Sequence, residues 1–197
     1  MLVCGSMMGR KAHDDIGVKS NIYPSRLAAV QFDSQDPYEV VQPVVPIGQA
    51  RCLSRDTYVP RASTPLYDAI GRGILDQEAF LARLPPSERP PRVVLVIVTD
   101  GQENSSREFT RARVMALIAA KRQLEWEFVF LSADETAFAD AGDMGVPMAS
   151  RFMFKKSRQG TARAWASVSD KMAQMRSGAS AGMAFDDKDR KDQDEAQ

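Results

Sequence analysis

The chain has 197 residues, 44% hydrophobic and 26% charged, the profile of one soluble globular domain with a short extension. Its formal net charge is zero, so bulk electrostatics point to neither a nucleic acid nor a membrane surface as partner. Cys4 and Cys52 are the two cysteines and make no disulfide framework; no apolar run nears bilayer-spanning length, and Met1 to Arg10 is too poor in apolar residues for a secretory signal, so a cytoplasmic location is expected.

In chain order, Cys4-Gly5-Ser6-Met7 reads as a loop at the extreme start. Leu27 to Phe32 reads as a buried strand and Tyr38 to Val45 as a second, joined by the turn-prone Asp33-Ser34-Gln35-Asp36-Pro37. So short a link predicts an antiparallel hairpin, and Pro43 and Pro46 confine the second strand to a sheet edge. Residues 48 to 63 are loop-like. Thr64 suits an N-cap and Pro65 the first position of a helix, in which Leu66, Ile70, Gly73, Ile74, Leu81 and Leu84 recur at helical spacing. Pro85-Pro86 and Pro90-Pro91 end it.

Val93 to Val98 follows, six apolar residues of which five are β-branched, read as a strand buried on both faces of a parallel sheet. Residues 107 to 124 predict an amphipathic helix with Phe109, Val114, Leu117 and Ile118 inward. Trp126 to Leu131 is the next strand, 134 to 142 a short helix and Arg151 to Phe154 a last strand. Trp165, Val168, Met172 and Met175 mark a final helix, with its methionines as core filler. Arg151 to Arg176 holds seven basic residues and one acid, read as a solvated face, with an acidic partner or the chain's own acidic tail as the alternative. From Ser177 the composition turns polar and charged, and residues 177–197 are expected to be a disordered tail behind a domain of residues 1–176. The alternation from Thr64 onward implies an α/β fold, a doubly wound, Rossmann-like, mostly parallel sheet with one antiparallel edge strand.

Asp100 stands at the carboxyl end of the Val93–Val98 strand, where open α/β sheets place their ligands, and Gly101 lets the backbone come close. A strand-terminal turn is the plain alternative. The loop Arg61-Ala62-Ser63-Thr64 is expected at the same edge. A hydroxyl and a carboxylate from separate loops are hard oxygen ligands suited to Mg²⁺. Asp68 could orient a loop hydroxyl or serve as a first-turn acid on the helix dipole. Glu103 and Asn104 read as shaping the loop. His13, the only histidine, has no zinc-spaced companions and reads as a surface residue.

Gly-Ser-Met at 5 to 7, Ser-Thr-Pro-Leu-Tyr-Asp-Ala-Ile at 63 to 70 and Val-Thr-Asp-Gly-Gln-Glu-Asn at 98 to 104 resemble the three motifs of von Willebrand factor A (VWA) domains. Val30-Gln31-Phe32-Asp33 and Trp126 to Leu131 are similar to the bacterial, cytoplasmic-type members. The resemblance covers roughly residues 2 to 176 and is strongest in the second and third motifs. It implies a non-enzymatic protein-binding module with a metal-ion-dependent adhesion site (MIDAS). There Mg²⁺, or Mn²⁺, is held by Ser6, Thr64 and Asp100, more weakly by Cys4, with Asp68 as an outer-shell group. An acidic residue of a protein partner completes the coordination.

The first motif departs from the family's Asp-x-Ser-x-Ser, since Leu2 and Cys4 stand at two ligand positions, so the expected site is weakened or empty of metal. The resemblance also suggests association with an AAA+ ATPase or another bacterial complex. The family's central strand precedes the first motif, where this chain has only Met1-Leu2-Val3, and Met8 to Arg26, cut by Pro24, is short for the family's first helix. A start further upstream, a decayed copy, or a strand donated by a partner would each account for this, in that order. A Mg²⁺-dependent phosphohydrolase with Asp100 as nucleophile or ligand and a metal-free scaffold are the alternative functions. The first lacks a second carboxylate, a phosphate loop or a nucleophile–base pair.

Overall fold

A computed structural model describes residues 1–7, 25–54 and 63–194, with residues 2–7 and 194 described by their backbone. His13, the stretch before Pro24, Arg61 and Ala62, and the last three residues of the tail lie outside the described residues.

One six-stranded sheet organises the chain. Its strands are β1 (Leu2–Met7), β2 (Arg26–Gln31), β3 (Glu39–Pro46), β4 (Arg92–Thr99), β5 (Trp126–Ser132) and β6 (Arg151–Met153), in the spatial order β3-β2-β1-β4-β5-β6. The helices are α1 (Leu66–Arg83), α2 (Arg111–Arg122), α3 (Glu135–Asp143), α4 (Arg158–Ser177) and α5 (Asp187–Asp194). The fold is mixed α/β.

Period-two alternation on β4 and β5 divides the core between the two faces. Val93, Leu95 and Ile97 with Trp126, Phe128 and Phe130 meet Leu66, Ile70 and Ile74 of α1, Val114 and Ile118 of α2, and Ala137 and Ala141 of α3. Val94, Val96, Val129 and Leu131 meet Ala164, Val168 and Met175 of α4 on the other side. The continuous apolar run of β4 is thus explained by helices on both faces. No described helix is long and apolar enough to cross a membrane.

The β2–β3 hairpin is antiparallel and β3 takes the sheet edge, where Pro43 and Pro46 cost no ladder bond to a further strand. β4, β5 and β6 are mutually parallel.

The expectation of a single antiparallel strand at the edge is corrected at the centre of the sheet. Cys4-Gly5-Ser6-Met7 is not a loop but most of β1, which lies between β2 and β4 and runs antiparallel to both. Leu2 stands opposite Ile97 and Ser6 opposite Val93. Met1 exchanges backbone hydrogen bonds with Val98, at 2.7 and 2.8 Å. The physical reason is pairing: a strand at this place satisfies the backbone groups that β2 and β4 would otherwise expose to each other across a gap.

Two helix boundaries also differ from the sequence reading. Thr64 does not cap α1, whose first turn receives no side-chain bond from the residue before it. α2 starts at Arg111, capped by Thr110, because the amides of residues 107 to 109 are drawn to Asp68 instead. Asp134 and Ser157 cap α3 and α4, and Gly178 ends α4 in the left-handed conformation at φ 79°.

The tail is the second correction. Residues 178–194 return across the α4 face, with Met183 1% and Phe185 6% exposed, and Phe185 stacks on Phe152 at 4.6 Å between ring centroids. Lys171 of α4 pairs with both Asp186 and Asp189 at 2.7 Å. Two apolar anchors and one buried cation are among the contacts that dock a segment whose average composition is that of a disordered one. The basic run of residues 151 to 176 meets the chain's own acidic tail through Lys171.

Removing the Phe185 ring by Phe185→Ala should destabilise the protein by about 3 kcal/mol in urea unfolding, whereas an undocked tail would give no change. The hydrogen bond from Lys171, helped by the Asp189 amide, lowers the Asp186 carboxyl from 3.8 to about 2. Its contribution should be complete above pH 4, the ordinary carboxylate range, and be lost as pH falls through about 2. Trp165 fluorescence against pH, with Asp186→Asn as reference, follows that loss.

Candidate functional site

β4 ends at Thr99, whose hydroxyl turns the chain by accepting from the Gly101 amide at 3.2 Å and donating to the Gly101 carbonyl at 2.8 Å. Gly101 is needed for close approach, since a Cβ there would lie 3.1 Å from Thr64 Oγ1. The two loops are then tied by their backbones. The Thr64 amide donates to Asn104 Oδ1 at 2.8 Å, and the Asn104 amide to the Thr64 carbonyl at 3.2 Å.

Two carboxylates complete the tie. Glu103 Oε1 accepts from the Ser105 and Ser106 amides at 2.9 and 2.7 Å, while Oε2 accepts from the Tyr67 amide at 2.9 Å and the Ser106 hydroxyl at 2.6 Å. Asp68, 2% exposed, accepts from the amides of Arg107, Glu108 and Phe109 at 2.8, 2.9 and 2.8 Å. The Asp68 amide donates to Ser106 Oγ at 3.1 Å. The first-turn donors of α1 are therefore satisfied by the loop after β4, and the donors of that loop by α1. Glu103 and Asn104 shape the loop, in agreement with the sequence reading. Asp68 stands in the first turn of α1, as the sequence reading has it, and is also the buried anchor of residues 107 to 109.

What remains exposed on this rim is Asp100; the half-buried Thr64 hydroxyl, which forms no hydrogen bond among the described residues, lies against Gly101. Asp100 Oδ2 lies 2.8 Å from Lys156 Nζ, with the two side chains 64% and 72% exposed. The hydrogen bond from Lys156 holds the Asp100 carboxyl below the usual range, against the opposing effect of partial burial. Asp100 raises the Lys156 ammonium in turn, and Asp134 pushes in the same direction. Ser105 Oγ is buried without a hydrogen-bond partner among the described residues.

Thr64 and Asp100 are thus brought to one edge. Ser6 and Cys4 are not. They pair with Val93 and Leu95, and the antiparallel run of β1 carries Ser6 toward the amino end of β4, roughly 20 Å of strand from Asp100.

This donor set does not fit the octahedral ion that the resemblance implies. Mg²⁺ asks for several oxygens, usually with one or two carboxylates. Here Asp68 and Glu103 are engaged with the backbone, and Asp100 is already paired with an ammonium. Among the described residues no group of three or more His, Cys, Asp or Glu is placed to hold a metal.

Sequence reasoning missed Lys156. Its signal was topological: β6 is parallel to β5, which is parallel to β4, so the loop after β6 emerges at the same edge as Asp100. A separate, mostly apolar concavity of about 100 Å³, lined by Val30, Tyr38, Val40, Val44, Gly73 and Gln77 among others, contains no residue of the rim. Comparisons with protein-family models, curated proteins and solved structures find no match for this chain.

Substituting Asp68→Ala would leave three amides without their acceptor and should cost about 3 kcal/mol or more. Amide hydrogen exchange at residues 107 to 109 should rise well above any change in the sheet. Uniform exchange across the chain would show instead that Asp68 is no local anchor.

Proposed function

We propose that this chain is a VWA-like, non-enzymatic protein-binding module that uses the Thr64–Asp100 rim to engage an acidic residue of a protein partner. The single observation that carries the reading is the mutual lock of two separate loops at the carboxyl end of β4. It holds the exposed Asp100 beside the Thr64 hydroxyl while the carboxylates of Asp68 and Glu103 are turned to the backbone. A preformed rim lowers the ordering cost of association, which is what a docking site requires. The placement of β1 between β2 and β4 also supports the family resemblance, while its direction departs from the parallel sheet that the resemblance implies. In this reading the module works in the cytoplasm, with Cys52 as a free, exposed thiol. An AAA+ ATPase or another bacterial complex is the partner class that the resemblance suggests.

The phosphohydrolase alternative fares worse on the same geometry. A nucleophilic or basic Asp100 needs a second carboxylate or a base beside it. Its observed companion is Lys156, which stabilises the charged form and makes Asp100 a weaker base.

Partner recovery by affinity purification tests the proposal. Gln102→Glu adds a negative charge to the exposed rim without changing shape and should reduce recovery severalfold through like-charge repulsion. The equally isosteric Gln123→Glu, beyond α2, should leave recovery unchanged. Hydrolysis of a phosphate monoester by the wild-type chain, abolished in Asp100→Asn, would sink the binding-module reading.

A further inference from the structure

The turn that carries Lys156 is built with unusual care for an exposed lysine. Its backbone is closed by the Ser157 amide donating to the Lys155 carbonyl at 2.7 Å. Ser157 Oγ then accepts from the Gly160 amide at 3.0 Å, fixing the turn to the start of α4. Gly160 leaves room for it, since a Cβ there would collide with the Lys155 carbonyl. The docked tail braces it from behind. Gln193 of α5 accepts from the Lys155 amide at 3.2 Å and donates to the Gly160 carbonyl at 2.9 Å. The ammonium so presented lies 2.8 Å from Asp100 Oδ2 and feels Asp134 as a second negative group.

We infer that Lys156 is the resident cation of the rim, standing at Asp100 in place of the divalent ion, so that a partner carboxylate is received without metal. The inference rests on the binding-rim reading above and specifies its chemistry. An ammonium has three donors, and one bond to Asp100 leaves two for an incoming carboxylate. A divalent ion approaching Asp100 would meet a positive charge within a few ångströms, which opposes its binding. The pair is exposed, so the effect is screened by salt and must be read at low ionic strength.

The test is calorimetric titration of Mg²⁺ and Mn²⁺ into the full chain at low salt, with thermal melting as a check on folding. The wild type and Lys156→Arg, which both keep the cation, should show no saturable binding at millimolar metal. Lys156→Gln should instead show saturable Mn²⁺ binding at millimolar metal, the direction expected from removing one unit of positive charge near a dication. Adding Asp100→Asn to Lys156→Gln should abolish that gain. Saturable wild-type binding that depends on Asp100, or no gain in Lys156→Gln, would overturn the inference. No partner is needed for this titration, so its failure is distinct from failure of the binding-module reading, which the Gln102→Glu recovery decides.

Discussion

Everything at the carboxyl end of the sheet depends on two carboxylates turned to the backbone, Asp68 buried and Glu103 half-buried. Asp68 reaches from α1 to three consecutive amides of the loop after β4, and Glu103 reaches from that loop to the first turn of α1. Each supplies acceptors to donors that a helix start or an irregular loop leaves over. Hydrogen bonds to charged acceptors are worth more than neutral ones, and buried amides without them are costly. Neither segment would hold its shape alone. The same arrangement explains why α2 begins late and why Thr64 is released from capping: the donors and acceptors those roles need are already paired across the loops.

The sheet imposes the second constraint. β4 and β5 carry the core on both faces, and β6 continues them in parallel. That direction fixes which loops share an edge: those after β4, β5 and β6, bearing Asp100, Asp134 and Lys156. β1 obeys a different requirement. Its place is set by the gap between β2 and β4, and its direction sends its Ser6 end to the opposite edge. A ligand set that draws on Ser6, Thr64 and Asp100 together is therefore incompatible with this register, whatever the residue types allow.

Much of this was legible in the residues. Val93 to Val98 announces a strand covered on both sides because no polar residue interrupts it, and the prolines of β3 announce an edge because they cannot donate. The nearness of Thr64 to Asp100 follows from alternation, since helix starts and strand ends meet at one side of such a sheet. The direction of β1 was not legible. Leu2 to Met7 has no periodicity to separate strand from loop, and nothing local records whether a neighbour is parallel or antiparallel. The tail misled for another reason. Composition averages over residues, while docking turns on Met183, Phe185 and the contacts of Lys171, which averaging conceals. Asp68 was read as a first-turn acid on the helix dipole or an outer-shell group, and its first-turn place holds, but its anchoring of a distant loop was not visible. Its actual partners lie about forty positions away in sequence and become visible only once the loops are placed together.

These threads join at Lys156. The sheet direction brings its loop to the rim, the cap of α4 fixes the turn, and Gln193 of the docked tail ties both to the far end of the chain. Met183 and Phe185 are buried in the second core and Gln193 bonds to the turn, so a segment read as disordered from composition becomes part of the support for the rim. The coupling runs through packed and hydrogen-bonded groups over a short path rather than through any long-range field, which a net charge of zero would not supply. A rim assembled this way gets its positive charge from an exposed side chain whose backbone turn is braced by two helices. That charge is present whatever the metal content of the surroundings, and the turn beneath it is tied to the tail through Gln193.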